Sequence, residues 1–382
     1  MTADPALPRR PMRPWPAVLV LAIGSALPAQ EAPPRPRLGA QADSNDAQAF
    51  YRFGMEGLGR ASQTHAALYW ASRLEPNQTI YVYARFHALI NRESATWQRD
   101  FWRGSGYVRR SSKGQLIDSL LGEVMRRDPY AYVTLPCPRL ATLARERDRL
   151  KAGLLYWSVG CYHDATTAFG EALDADPSRL ELLLYRAQGF YVTRAYDSTV
   201  MALTALVDSL RGRDADHLVR AYESKATFEY MIGLAHERRG DLAAARQAYG
   251  RALAEDLGLA MAHARLARID KAQGDTTQAL AEFDLAVGLR SNDAVLRFEY
   301  GTALFELGRH AEAVAQLREA VRLEPHWAVP WFNLGIALQA QGSAADAIEA
   351  YEAFLARYPR RLEPRAQEAR ERRAWLEGTG GS

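Results

Sequence analysis

The chain has 382 residues, 48% hydrophobic and 24% charged, the balance of a soluble protein with ample material for a core. A formal charge of +3 is too small to argue for a nucleic-acid or anionic-membrane partner, and two cysteines cannot supply a disulfide framework. At the start, Arg9, Arg10 and Arg13 precede an apolar run from Ala17 to Leu27 between Pro16 and Pro28. That run has the length of a secretory leader core and falls short of the roughly 20 apolar residues that span a bilayer. Residues 1–30 are therefore expected to be a signal peptide, cleaved after Ala26, Ala29 or Gln30. Export to a periplasmic or secreted location follows, with no transmembrane anchor after cleavage. Met12 begins a shorter version of the same signal.

Residues 31–46 carry Pro33, Pro34 and Pro36 with few apolar side chains, and read as a disordered linker. Residues 47–145 read as a degenerate helical region, with helices expected near 49–55, 62–74, 79–91 and 114–127. An insertion at 92–113 interrupts it. Its Trp97, Trp102, Arg103, Tyr107 and Arg109 form an aromatic and arginine loop suited to stacking on a glycan or pairing with acidic groups. The alternative is that the loop folds back over the apolar edge of its own chain. Residues 138–159 read as one helix flanked by Cys137 and Cys161. At 1.5 Å per residue its ends lie roughly 33 Å apart. A disulfide, which needs Cα atoms within about 7 Å, is therefore not expected unless that helix breaks.

From residue 146 the chain repeats. Residues 146–213 hold two units, with Gly153, Tyr156, Ala165, Phe169 and Pro177 in the first and Ala187, Phe190, Thr199 and Leu203 in the second. An insertion at 214–225 precedes four further units over 226–359. Gly233, Ala267, Gly301 and Gly335 stand 34 residues apart, as do Ala245, Ala279, Ala313 and Ala347. Large apolar residues follow the second column four places on, at Tyr249, Phe283, Leu317 and Tyr351. Gly240, Gly274, Gly308 and Gly342 mark the middle of each unit, and Asp241, Asp275 and Ser343 follow as helix N-caps. Residues 360–382 contain Leu362, Ala366, Ala369 and Leu376 on one face of an Arg- and Glu-rich helix, the pattern of a solvating cap and tail.

The period, order and residue types of these columns, fullest in Trp331-x2-Leu334-Gly335-x2-Leu338 and Ala347-x3-Tyr351, resemble the tetratricopeptide repeat (TPR) family. The resemblance is to the exported bacterial type. It implies an all-α, right-handed solenoid of helical hairpins whose concave face binds a peptide or protein segment. In that fold the groove positions are Tyr230, Leu234, Met261, Arg268, Val295, Phe298, Phe305, Val329, Phe332 and Ile336, a mostly apolar strip. The same positions also serve packing between helices. The basic clamp by which some members hold a chain-terminal carboxylate is not matched, since Tyr230, Leu234, Val295 and Glu299 occupy its places.

Phosphate loops, His-Glu-x-x-His, Gly-x-Ser-x-Gly and paired Cys-x-x-Cys motifs do not occur, so the expectation is a non-enzymatic interaction scaffold without cofactor or metal. The runner-up is a protein binding glycan or envelope polymer through residues 97–110. Four residues break the repeat's own rule, for Glu229, His236, His263 and Asp270 stand in columns that should be apolar. A buried hydrogen-bonded network among them is expected, because burying them unpaired is costly. Exposure to water and metal ligation are the alternatives.

Overall fold

A computed structural model describes residues 32–39, 41–56, 61–90, 92–93, 97, 111–130, 148–158, 160–216 and 224–379. Among them are seventeen α-helices and no strand, so the chain is an all-α solenoid. The N-terminal arm comprises α1 (Ala47–Glu56), α2 (Ala61–Leu74), α3 (Thr79–Ile90) and α4 (Ser112–Arg127). Two hairpins follow, α5 (Arg149–Ser158) with α6 (Tyr162–Ala175) and α7 (Glu181–Val192) with α8 (Tyr196–Asp216). The regular repeats are α9 (Ala226–Arg239) with α10 (Leu242–Glu255), α11 (Ala260–Ala272) with α12 (Thr276–Leu289), α13 (Ala294–Glu306) with α14 (His310–Leu323), and α15 (Ala328–Gln341) with α16 (Ala344–Leu355). A 3-10 turn at Arg360–Leu362 leads into α17 (Glu363–Thr379).

Three of the four regular hairpins are set by one close approach at a glycine. A Cβ added at Gly233 would lie 2.3 Å from the Tyr249 ring, and one at Gly335 would lie 2.6 Å from the ring of Tyr351. The second-helix aromatic therefore occupies the place where the first helix has no side chain. Tyr249 and Tyr351 are completely buried there, so the contact is made at full packing density. The turns that bring the helices back share one conformation. Gly160, Gly240, Gly274, Gly308 and Gly342 all have φ between +74° and +86°. After two of these turns Asp241 Oδ1 accepts from the Ala244 amide at 3.0 Å, and Asp275 Oδ1 accepts from Gln278 at 3.1 Å. Ser343, expected to cap in the same way, makes no side-chain cap bond. At nearly the same backbone angles, its hydroxyl is one bond shorter than a carboxylate oxygen.

The units share one apolar core running from Leu184 to Leu376, and Tyr130 of the arm belongs to it. At the far end Ala366, Ala369 and Leu376 of α17 are buried against it. The arm folds back along the loops that join successive repeats. Arg73 meets Glu324 at 2.7 Å, and the Trp70 ring stands edge-on to His326 at 4.9 Å. Arg361 reaches both Glu75 and Asp46, and the Arg360 amide donates to Asp43 Oδ2 at 2.6 Å. The linker expected to be disordered is thus held in place over its described residues. Its Pro33 carbonyl accepts from the Trp70 indole at 2.9 Å, and the Arg35 guanidinium lies 4.3 Å over that ring. Prolines that cannot enter a helix still present carbonyls and ring faces to an aromatic side chain.

The strongest tie is a buried ionic ring. Glu123 on α4 bonds Arg127 on the same helix and receives Arg126 and Arg290, each at 2.9 Å. Arg127 in turn meets Asp293 at 3.1 Å, while Asp293 caps α13 through the Val295 and Leu296 amides. Burial works to raise the Glu123 pKa, but Arg127, Arg290 and Arg126 outweigh it and hold the carboxyl well below its usual range. Stability from this group is therefore present above the ordinary carboxylate pKa and is lost as pH falls toward its depressed folded value. Removing one partner leaves buried charges less fully compensated, so Arg290→Met and Glu123→Gln should each cost up to about 3–5 kcal/mol at neutral pH. The double variant should cost much less than the sum. Urea unfolding checks this, and additive losses would show that the ring does not act as a unit.

Candidate functional site

The structure divides the expected groove strip in two. Tyr230, Leu234, Met261, Val295 and Phe332 are buried. Tyr230 donates its hydroxyl to the Arg127 carbonyl at 3.2 Å, and Tyr130 stacks on Tyr191 at 3.5 Å while donating to the Met231 carbonyl. The chain's own arm thus occupies the inner face of the first regular unit and of the hairpin before it. Phe332 lies beneath α17, with the Arg365 guanidinium 6.0 Å from its ring. Arg268 is held by Glu299 through bonds of 2.6, 2.7 and 3.1 Å, instead of being offered to a ligand as the strip predicts. Phe298, Phe305, Val329 and Ile336 remain half-buried on α13 and α15, with an Asn333–Thr302 hydrogen bond at 3.4 Å between the two helices. Covering by the arm had no local signal, because it depends on contacts between residues 101 or more positions apart.

The four polar residues in apolar columns do not form the expected network. Glu229, His263 and Asp270 are buried, but each finds its partner on a second helix. Glu229 is gripped by Arg211 of α8 and Arg251 of α10, both at 2.9 Å. Asp270 pairs with Arg246 of α10. His263 Nδ1 meets Glu282 of α12 at 2.7 Å, and its Nε2 faces the Leu257 carbonyl at 3.2 Å. His236 is half-buried, away from the other three, with Nδ1 lacking a partner. Spacing of seven does place each pair on one side of its helix, but that side faces the flanking second helices. Long arginines from their exposed flanks reach inward and satisfy the carboxylates. No group of three or more His, Cys, Asp or Glu arranged to hold a metal ion occurs among the described residues.

Of the loop candidates, Trp97 packs against the small core between α3 and α4 formed by Val82, Phe86, Ile117 and Leu120. Trp102, Arg103, Tyr107 and Arg109 lie outside the described residues. Cys161 is disulfide-bonded, and Cys137, the chain's other cysteine, lies outside the described residues. The premise against that bond fails at Asp148, which is not helical and whose Oδ1 accepts from the Lys151 amide at 3.1 Å to start α5. Sequence reading also missed a polar cleft of about 500 Å³ between arm and array, lined among others by Asp128, Tyr191, Arg194, Arg238 and Arg265. One signal for it was legible, since Arg194 stands where the other units carry the turn glycine.

Family models agree with this architecture. A TPR repeat model matches residues 301–342, and a tetratricopeptide repeat model matches residues 332–379. The C-terminal part of a TPR repeat-containing protein from Cytophaga hutchinsonii superposes with a TM-score of 0.51, covering 60% of this chain and 88% of that one at 16% identity. The chain carries tetratricopeptide repeats over residues 301–379. Over 210 residues, 53% of its length, this TPR protein is 29% identical to cellulose synthase 1 operon protein C of Komagataeibacter xylinus. Over 86 residues, 22% of its length, it is 35% identical to the Hsp70-Hsp90 organizing protein of Triticum aestivum. It spans only 16% and 15% of those two relatives. No helix among the described residues is long and apolar enough to cross a membrane.

The two histidines of this TPR protein titrate with opposite sign. The Glu282 bond raises the His263 pKa against the opposing effect of burial. Its contribution to stability is complete below the ordinary value of about 6.5 and is lost as pH rises through the raised folded pKa. At His236, burial is the largest cause and lowers the pKa, with Asp241 and Asp197 opposing and Arg239 and Arg251 assisting. Its contribution is present above about 6.5 and is lost as pH falls. Melting midpoints between pH 5 and 8 should therefore respond oppositely to the two substitutions. His263→Leu should steepen the loss on acidification, and His236→Leu should flatten it. Parallel profiles for both variants would contradict the assignment.

Proposed function

We propose that this TPR protein is a non-enzymatic scaffold that holds an extended or helical apolar protein segment in an exported compartment. The observation that carries the reading is the apolar strip of Phe298, Phe305, Val329 and Ile336, left half-buried on two adjacent first helices while the rest of the inner face is covered. Half-exposed rings and branched side chains on rigid helices offer contact area at little cost in lost side-chain freedom. The relative named for organizing Hsp70 and Hsp90 supports an interaction role. Panning a peptide library on the full chain, then measuring the selected peptides, tests the reading. Phe305→Ser and Ile336→Ser should weaken binding at least tenfold at a temperature where circular dichroism shows each variant folded. Undiminished binding by both variants would move the partner elsewhere on the surface.

Export rests on the arginine-flanked apolar run and is supported by the disulfide at Cys161, a bond that persists in oxidising compartments. N-terminal sequencing of the periplasmic or secreted form should find a first residue between Leu27 and Glu31. A cytoplasmic protein retaining Met1 or Met12 overturns this part of the reading.

A second reading, binding of a glycan or envelope polymer through residues 97–110, draws on the relative named for a cellulose synthase operon. Trp97 counts against it, because that ring is used in the arm's own core. Retention on a glycan column that depends on Trp102 would favour this reading over the first.

A further inference from the structure

The cleft between arm and array has walls from both sides. Asn77, Gln78 and Asp128 come from the arm, while Tyr191, Arg238 and Arg265 come from the first helices of three successive hairpins. Its charge is unbalanced. Arg238 spends Nε on the Tyr191 hydroxyl at 3.0 Å and has no ion-pair partner among the described residues. Arg265 places Nη1 3.3 Å from Glu237, and its Nε is shut away from solvent with no acceptor. Arg194 is exposed at the rim, likewise without an ion-pair partner among the described residues. Against the three arginines stand two carboxylates, Glu237 beside Arg265 and Asp128, whose Oδ1 accepts from the Tyr130 amide. Burial pushes the Asp128 pKa up, toward the neutral acid.

Arg194 adds an independent observation. Its φ is +64°, the one non-glycine residue with positive φ among those described, at the turn where five other hairpins have glycine. Glycine would adopt that backbone without strain, so the turn itself does not call for arginine. What arginine brings is a guanidinium at the mouth of a cleft that already holds two more. Planar guanidinium groups donate in pairs to oxyanions and keep their charge at any physiological pH.

We propose that this cleft binds a multiply charged oxyanion, either a phosphate or a cluster of carboxylates, gripped by Arg194, Arg238 and Arg265. Because one wall belongs to the arm, the bound anion also holds the arm closed on the array. The proposal is independent of the apolar strip on α13 and α15, and neither stands or falls with the other.

The test uses the full chain with two probes, inorganic phosphate and the tricarboxylate tricarballylate, each compared with sodium chloride at equal ionic strength. Calorimetry should show saturable binding of at least one probe, and the melting midpoint should rise with its concentration beyond the chloride control. The probe that saturates identifies the group recognised. Arg194→Gly is the decisive variant, since it restores the residue suited to the backbone and should fold with an equal or higher midpoint. Its affinity for the probe should nevertheless fall at least tenfold, as should that of Arg238→Gln. Amide exchange at Gln78–Ile80 should slow on saturation in the parent chain. No effect beyond chloride, or undiminished affinity in both variants, overturns the site, and unchanged exchange overturns its link to the arm.

Discussion

The close approach of a large second-helix side chain to a first-helix glycine is the constraint on which three of the four regular hairpins depend. At Gly233 and Gly335 the space a Cβ would need is already filled by Tyr249 and Tyr351. That approach fixes the distance between the paired helices and leaves their outer faces apolar. A hairpin so built has no way to bury both faces alone, and stacking on the next unit completes the core. The positive-φ turns and aspartate caps make the return path short enough for the ring to reach its glycine.

The same logic leaves the first hairpins of the array with an uncovered inner face, and the arm supplies the cover. Tyr130 enters the main core, Glu123 and Arg127 lock onto Arg290 and Asp293, and Arg73 meets Glu324. Burial pushes the Glu324 pKa up to about 7 against the opposing pull of Arg73 and Arg127. That carboxyl gives more to the closed form when protonated than when charged, so its contribution diminishes as pH rises toward 7. Glu123 behaves in the opposite way, because three arginines outweigh its burial. The fold-back therefore combines one tie that weakens in acid with another that weakens toward neutrality.

Helix positions, the small and large columns, and the turn glycines were legible because each is specified by residues within one 34-residue unit. The fate of the inner strip was not. Tyr230 fits a ligand-facing position by its column, and what covers it is a carbonyl from Arg127, 103 residues earlier in the chain. Nor could periodicity identify the partners of Glu229 and Asp270, since Arg251 and Arg246 occupy columns that tolerate any solvated side chain. Asp148 shows a smaller failure of the same kind. Helical periodicity runs unbroken across Asp148, which in the fold starts a helix, so the two cysteines are not separated by one continuous helix.

Solenoids that contact only their sequential neighbours act as springs, stretching and twisting by small changes at every junction. Pinning alters that mechanics here. Residues 43–46, 73–75 and 123–127 fasten the arm to three successive inter-repeat loops, at 360–361, 324 and 290–293. Because the anchors fall on successive loops, a pull that lengthens the array loads all of them together. Such fastening opposes axial stretching. The molecule is built as a stiff clasp rather than an extensible coil.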